Sequence, residues 1–322
     1  MKIGFDIMGG DYAPKTALEG AIYALKELTH DIELVLIGNR SYIQETLPAY
    51  LDKLLIQPNI SFVNASEVIT MSDSPTKAFG QKPDSSIAVG FGLLKKGEID
   101  VFLSAGNTGA MLVGALYTVK AIDGVLRPAI LSLLPKLSGK YGIILDVGIN
   151  SDTRQDVLLQ FGILGSLYMK SMFHVMNPKV GLFNIGSERE KGNIVTQAAY
   201  PLMESAKQIN FIGNVEGYDL FSDMADVIVC DGFTGNLVLK SLEAIHKIHM
   251  QKGIEDEFFS RFDYQDYGGT PILGINKPVL VGHGSSSGKA FKNMILQGKS
   301  VVENNLVDGI KNLFRSQNNI NA

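Results

Sequence analysis

Short apolar runs rich in isoleucine, valine and leucine recur along this chain, and each is followed within a few residues by a stretch of helical period. Parallel strands joined by crossover helices require that alternation, so it restricts the chain to the α/β class with a mostly parallel sheet. Strands are expected over residues 3–7, 33–37, 60–63, 101–103, 129–134, 143–147, 180–184, 211–215, 227–230 and 279–281. A first helix sets Ala17, Leu18, Ala21, Ile22, Leu25 and Leu28 on one face behind Pro14. Further helices are expected over 85–96, 109–120, 155–173, 193–208, 237–250 and 286–314. No repeat of solenoid period and no low-complexity linker divides the chain. Residues 1–322 are therefore expected to form a single catalytic unit, in one lobe or two.

With 322 residues and 45% hydrophobic side chains the chain can bury a substantial core, and no apolar run is long enough to span a bilayer. It opens directly on a strand-like segment, residues 2–7, without the basic flank and apolar core of a signal peptide, so a cytoplasmic location is expected. The single cysteine, Cys230, excludes an internal disulfide framework and a cysteine-clustered metal site. With 29 basic against 33 acidic side chains the net charge is −4, and no global field draws the chain to nucleic acid. An acidic partner must meet a local basic patch.

Four glycine-rich turns share one layout, an apolar run, then a loop of Gly, Asn, Ser, Thr and Asp, then a helical segment. They are Ser104 to Ala110 (SAGNTGA), Asn184 to Ser187 (NIGS), Asp231 to Asn236 (DGFTGN) and His283 to Ser286 (HGSS). Such turns leave backbone N–H groups unpaired at a helix N-terminus, where the positive end of the dipole favours an anion. Open α/β sheets bind ligands outside the carboxyl ends of their strands, where all four turns are expected to fall. A phosphate-handling cleft follows, although a single turn of this kind is also an ordinary strand-to-helix connection.

The nucleotide signatures do not fit. Gly9 and Gly10 lack the G-x-G-x-x-G pattern, and Gly284 to Ala290 is one residue short of a Walker loop with Ala290 in the hydroxyl position, so neither NAD nor ATP is supported. Gly284 to Gly288 satisfies the G-x-S-x-G nucleophile elbow, but the last histidine, His283, precedes Ser286, whereas that triad needs a later one. A hydroxyl-lined anion loop is the better reading. Glu243, His246 and His249 are spaced three apart, yet the expected apolar face of that helix is Val238, Leu242, Ile245 and Ile248. The histidines then fall on a wet face beside Lys240 and Lys247, and no metal is expected.

The segments FDIMGGDYAPK, SAGNTGA, LDVGINSD, VGLFNIGSE, KGN, NFIGNVEG, DGFTGN, YGGTPILG and GHGSS, in this order, resemble the phosphate acyltransferase family from Met1 to about Asn305. The resemblance implies Rossmann-like αβα layers similar to isocitrate dehydrogenase and phosphotransacetylase, without a nicotinamide cofactor, and a homodimer. It implies transfer of a fatty acyl group from acyl-[acyl carrier protein] to inorganic phosphate, giving acyl phosphate and free carrier protein for phospholipid synthesis, with no cofactor. A membrane glycerol-phosphate acyltransferase would consume that product. A coenzyme A-dependent phosphotransacetylase-like enzyme is the alternative.

Phosphate is an anion at neutral pH, so it can attack a thioester without a covalent acyl-enzyme if it is held in line and desolvated. The tetrahedral oxyanion then needs aimed donors. Backbone amides of DGFTGN with the Asn236 amide are candidates, Asn236 being also a natural cap for a helix starting near Leu237. Lys191 is expected as a charge clamp, and His283 or Lys191 as a source of acid assistance. Expected phosphate or substrate contacts are Gly9, Gly10 and Asp11 in the opening motif, Ser104, Gly106, Asn107, Thr108 and Gly109 in the first turn, and Asn193 in KGN. To these are added Asp231, Gly232, Thr234 and Gly235, then Gly284, Ser285 and Ser286, with Asp146 in support.

The chain departs from the family pattern at four places. Tyr12 stands where the family usually has histidine and Ile149 where it usually has alanine, and the segment after Met71 carries Lys77 and Lys82 where several arginines are usual. Residues 251–266 form a shortened variable segment whose Glu255, Asp256 and Glu257 disfavour anionic lipid, so weak or absent membrane contact is expected. Acyl carrier protein is acidic, and Lys289, Lys292 and Lys299, or Lys240 and Lys247, are the expected docking cations.

Overall fold

The computed structural model describes residues 1–253 and 256–320, the last four by backbone alone. Its strands are β1 (Lys2–Asp6), β2 (Glu33–Gly38), β3 (Ile60–Asn64), β4 (Val101–Ser104), β5 (Ala129–Pro135), β6 (Tyr141–Leu145), β7 (Lys179–Phe183), β8 (Asn210–Val215), β9 (Val227–Val229), β10 (Gly269–Leu273) and β11 (Val279–Gly282). The α-helices are α1 (Lys15–Ala24), α2 (Arg40–Thr46), α3 (Pro48–Leu55), α4 (Pro75–Gln81), α5 (Ser86–Lys96), α6 (Thr108–Gly114), α7 (Gln155–Phe173), α8 (Ile194–Ser205), α9 (Gly232–Lys252), α10 (Glu257–Ser260), α11 (Gly288–Glu303) and α12 (Leu306–Ile320). Two compact units share them, one built from Met1–Ala121 with Tyr264–Glu303, the other from Ile122–Asp263 with the chain from Asn304 onward.

In the first unit the strands run in the order β3-β2-β1-β4-β11-β10. All neighbours are parallel except β10 with β11. Strands in such a sheet are covered on both faces, which explains their unbroken apolar character: Ile3, Phe5, Val101, Phe102 and Leu103 are fully buried. Phe102 meets Phe91 of α5 edge to face, with centroids 5.1 Å apart, and Phe5 meets Phe291 of α11 at 5.5 Å. Each such ring buries about 1.5–3 kcal/mol of transfer free energy. Helix α1 packs on α11 at a crossing so close that a Cβ on Gly20 would stand 2.3 Å from Phe291 Cβ. From β1 the chain turns toward β2 and β3, while β4 lies on the other side of β1, and this switch point opens a crevice at the strand ends.

In the second unit the order is β5-β6-β9-β7-β8, parallel except for β5 with β6. Leu134, Ile144, Val215, Ile228 and Cys230 are buried in one apolar cluster with Val238, Leu239 and Leu242 of α9 packed against it. Helix α12 packs on α7 through a face that buries Leu306, Ile310 and Phe314.

Each of the ten expected strands is present to within two residues at each end. Strand β10 was not expected, because Gly-Gly-Thr-Pro reads as a turn, and the two antiparallel pairs were not expected either. The expected helix over 286–314 is two helices, broken at Asn305, which adopts φ of 51°. That over 109–120 is α6 with a π-helical continuation over Ala115–Val119, and the short α2, α3, α4 and α10 lie in stretches read as loop.

Helix α9 corrects the sequence reading twice. It begins at Gly232, not Leu237, with Asp231 as N-cap, so Asn236 is inside the helix and caps nothing. The polarity of its far end is also reversed. Ile245 and Ile248 are exposed, whereas His249 is buried with both ring nitrogens unpartnered among the described residues and its ring 4.8 Å from that of Phe259. Two of the four expected core residues, Val238 and Leu242, pack against the cluster, while Phe259 draws the histidine side of the far end inward. Of the acidic segment, Glu255 lies outside the described residues, and Asp256 caps α10. Among the described residues no helix is long and apolar enough to cross a membrane.

Candidate active site

All four turns fall at the carboxyl ends of parallel strands, two in each unit. In the first unit the loops after β1, β4 and β11 meet at the switch point, with Asp11 N–H donating to the Gly284 carbonyl at 2.7 Å. At their base lies Asp6, fully buried, which the sequence reading did not single out. Ser104 Oγ donates to Asp6 Oδ2 at 2.6 Å and accepts the Gly106 N–H at 2.9 Å, while Met8 N–H donates to Asp6 Oδ1. Burial raises the Asp6 pKa above its ordinary value, against the opposing pull of the Ser104 and Ser86 hydroxyls and the Met8 and Gly9 amides. Gly9 must be glycine here, since a Cβ would stand 2.6 Å from Gly106 N and 2.7 Å from Asp6 Oδ2. Ser104 and Asn107 are thus occupied within the fold. Asn107 Oδ1 accepts the Ala110 N–H at the head of α6, and Asn107 Nδ2 donates to the Thr70 and Asp73 backbone carbonyls. Asp11, Tyr12, Thr108 and His283 are exposed in this cluster.

The HGSS turn is hydrogen-bonded to itself. Ser286, buried, donates from Oγ to the His283 carbonyl at 2.6 Å, so the serine of the elbow pattern has no base beside it. Ser285 Oγ lies 2.8 Å from His283 Nδ1. Among the described residues no carboxylate bonds the His283 ring to complete a triad.

In the second unit Asp146 folds the loop after β6. Its Oδ2 accepts the N–H groups of Ile149 and Asn150 and the Asn150 amide, and its Oδ1 accepts the Ile130 N–H. Burial raises its pKa, with those four donors pulling the other way. Helix α9 is seated directly on this loop: Gly232 N–H donates to the Asn150 carbonyl at 2.7 Å, and a Cβ on Gly235 would lie 2.0 Å from the Asp146 carbonyl oxygen. The expected amides of DGFTGN are therefore mostly spent. Gly232 N–H serves Asn150, Thr234 N–H serves Asp231 Oδ1, and among the described residues Phe233 N–H is the one of the first turn left without an acceptor. The Asn236 side chain makes no hydrogen bond among the described residues, is exposed, and stands over Gly148.

The loop carrying Lys191 is shaped by Asn184 and by Asn214, a residue the sequence reading missed. Asn184 Nδ2 donates to the Lys191 carbonyl and to Asn214 Oδ1, each at 3.0 Å, and Asn214 Nδ2 donates to the Glu188 carbonyl at 2.7 Å. Lys191 itself is exposed, with its ammonium 3.9 Å from Glu188. Asn193 caps α8, its oxygen taking the Val195 and Thr196 amides, so that helix end has no free donor for an anion at those positions. Of the expected docking cations, Lys240, Lys289, Lys292 and Lys299 are each paired with a carboxylate, pairs that are cheap to exchange at a surface. Lys82 is bound to Asp73 at 2.7 Å.

The mostly parallel α/β fold is shared with solved phosphotransacylases. A phosphotransacetylase from Streptococcus pyogenes superposes with a TM-score of 0.62 at 18% identity, covering 94% of each chain. A branched-chain phosphotransacylase from Enterococcus faecalis gives 0.62 at 14%, covering 94% of this chain and 99% of the other. At these identities the likeness is one of fold. Sequence carries further: the phosphate acyltransferase of Thermoanaerobacterium thermosaccharolyticum is 42% identical over 330 residues, 97% of this chain and 96% of that one. That of Endomicrobium trichonymphae is 42% identical over 340 residues, 99% of both. The model of the family described as fatty acid synthesis protein matches residues 1–308. The chain is an acyltransferase, and it belongs to this family of phosphate acyltransferases.

Proposed function

We propose that this acyltransferase moves a fatty acyl group from the thioester of acyl-[acyl carrier protein] to inorganic phosphate, releasing acyl phosphate and free carrier protein to supply phospholipid synthesis. A phosphate oxygen attacks the thioester carbonyl carbon and forms the new C–O bond. The tetrahedral oxyanion collapses, the C–S bond breaks with its electron pair going to sulfur, and the carrier thiolate takes its proton from water. No acyl-enzyme is needed: Ser104 is bonded to Asp6, Ser286 to a backbone carbonyl, and the Cys230 thiol is buried with its pKa well above the ordinary value, while Ser285, whose Oγ lies 2.8 Å from His283 Nδ1, has no carboxylate behind that ring among the described residues.

The observation that carries this reading is the head of α9, where the exposed Asn236 amide and the Phe233 N–H have no acceptor among the described residues. A developing oxyanion requires donors that are free in the resting enzyme, and removing one costs about 2.7–4 kcal/mol; the helix backbone holds the Phe233 N–H, and the Asn236 amide is free to turn to the same charge. Lys191, held only loosely by Glu188, is free to meet a phosphate oxygen.

Incubation of palmitoyl carrier protein with phosphate, trapping the product with hydroxylamine, should yield the hydroxamate only when phosphate is present. Asn236→Ala should lower kcat by about 10²–10³-fold. Acetyl-CoA is run alongside as the competing thioester donor. Product from acetyl-CoA alone, or an obligatory acylated serine found by mass spectrometry, overturns the reading.

A further inference from the structure

Tyr264 has no part in the chemistry so far. It opens a short 3-10 turn, Tyr264–Asp266, in the segment that returns to the first unit. The head of α11 pins that turn: Ser287 Oγ bonds Gln265 Oε1, Asn293 Nδ2 donates to the Gln265 carbonyl at 2.8 Å, and Lys289 pairs with Asp266. The Tyr264 hydroxyl thereby reaches Ser285, 2.7 Å from its Oγ and 3.1 Å from its carbonyl oxygen. Its ring lies against the His283 imidazole with centroids 4.6 Å apart and planes inclined at 32°. Ser285 in turn holds the imidazole, donating its backbone N–H to Nδ1 at 3.3 Å and placing Oγ 2.8 Å from the same nitrogen.

A backbone N–H aimed at Nδ1 needs a lone pair there, so the neutral ring carries its hydrogen on Nε2. The hydroxyl directions follow from that choice. Ser285 O–H donates to Nδ1, and Tyr264 O–H donates to Ser285. The chain ends at Nε2–H, which has no acceptor among the described residues and belongs to an exposed side chain.

We propose that Tyr264 is a positioning residue: through Ser285 it holds His283 in the Nε2–H form and presents that N–H as a fixed hydrogen-bond donor to an oxygen of inorganic phosphate at the carboxyl end of β11. His283 then serves as a donor, not as an acid. Nε2 keeps its hydrogen, phosphate keeps its charge, and the anion stays nucleophilic while one of its orientations is selected. The assignment rests on the acyl-to-phosphate reading above.

Two measurements test it on the full-length enzyme. The chain has five histidines, and long-range proton–nitrogen correlation in protein labelled with ¹⁵N-histidine reports which ring nitrogen is protonated, with His283→Gln identifying the signal. The wild type should show Nε2–H, and that resonance should move on titration with inorganic phosphate. Ser285→Thr, which keeps the hydroxyl, should behave as wild type, whereas Tyr264→Phe and Ser285→Ala should show mixed tautomers and a smaller phosphate response. In kinetics, Tyr264→Phe, which keeps the ring and removes the hydroxyl, should lower kcat/KM for phosphate about tenfold and leave the KM for the acyl carrier substrate unchanged. An Nε2–H that does not respond to phosphate, or unaltered tautomers in both variants, overturns the assignment. If the wild type makes no acyl phosphate, the reaction reading falls by itself, and the phosphate titration still decides the role of Tyr264.

Discussion

Asp6 and Asp146 are carboxylates taken out of water and then surrounded by donors, and in both the cost of burial prevails over the hydrogen bonds. Their folded pKa values stand above the ordinary 3.8. Between that value and the raised one, the native state binds more protons than the unfolded chain, so the free energy of unfolding falls as pH rises through the interval. Their contribution is complete below the ordinary carboxylate value and is lost above the folded one. Asp31, Glu33, Asp73, Asp84 and Asp156, whose values are lowered, slope the other way, so the effect must be isolated by difference. Urea unfolding of the wild type should lose stability relative to Asp6→Asn as pH is raised from just below 3.8, and identical pH profiles for the two proteins would falsify the assignment. At this scale the sequence is informative about glycine and asparagine in turns, whose local preferences are strong. It is silent about Asp6, Asn214 and Tyr264, whose importance arises from neighbours distant in the chain.

At the scale of the element, α9 shows how one position can govern a site. Glycine inside a helix ordinarily costs about 1 kcal/mol relative to alanine. At Gly235 the bare Cα lets the helix rest on the Asp146 carbonyl, where a methyl would stand 2.0 Å away. Gly235→Ala should therefore destabilise by about 1–3 kcal/mol and reduce turnover by lifting Asn236 out of register. Gly92 of α5 has open space around it, and Gly92→Ala should be neutral or stabilising by up to about 1 kcal/mol. Thermal unfolding of the pair checks the contrast, and equal shifts of the same sign would refute it. Ten strands were legible because buried parallel strands are uniform apolar runs. Strand β10 was not, because its Gly269, Thr270 and Pro271 carry turn chemistry and its pairing with β11 is settled only by the sheet. The break at Asn305 escaped notice because the apolar period continues through Leu306 and Ile310, on the far side of a single left-handed residue.

At the scale of the molecule, neither unit is a continuous stretch of chain. The first needs Tyr264–Glu303 to supply β10, β11 and α11, and the second needs α12 after that segment is complete. Truncation after Glu303 should leave the first unit's segments whole while stripping α7 of Leu306, Ile310 and Phe314. Such a protein should bind a hydrophobic dye and unfold at lower temperature, with hydrogen exchange quickening along α7; unchanged protection of α7 would show that α12 is dispensable. The alternation of strands and helices in the sequence does not reveal this interleaving, because crossing between units leaves no mark on local periodicity.

The pairing of β4 with β11 has a consequence for synthesis on the ribosome. β1 through β4 emerge early, but the strand that closes the flank of β4 leaves the exit tunnel only after the whole of residues 122–263 has been made. Until then the nascent chain exposes an unpaired edge at Val101, Phe102 and Leu103, a ready template for a neighbouring polypeptide on the same message. That half-built edge is a hazard of synthesis that the finished enzyme no longer carries.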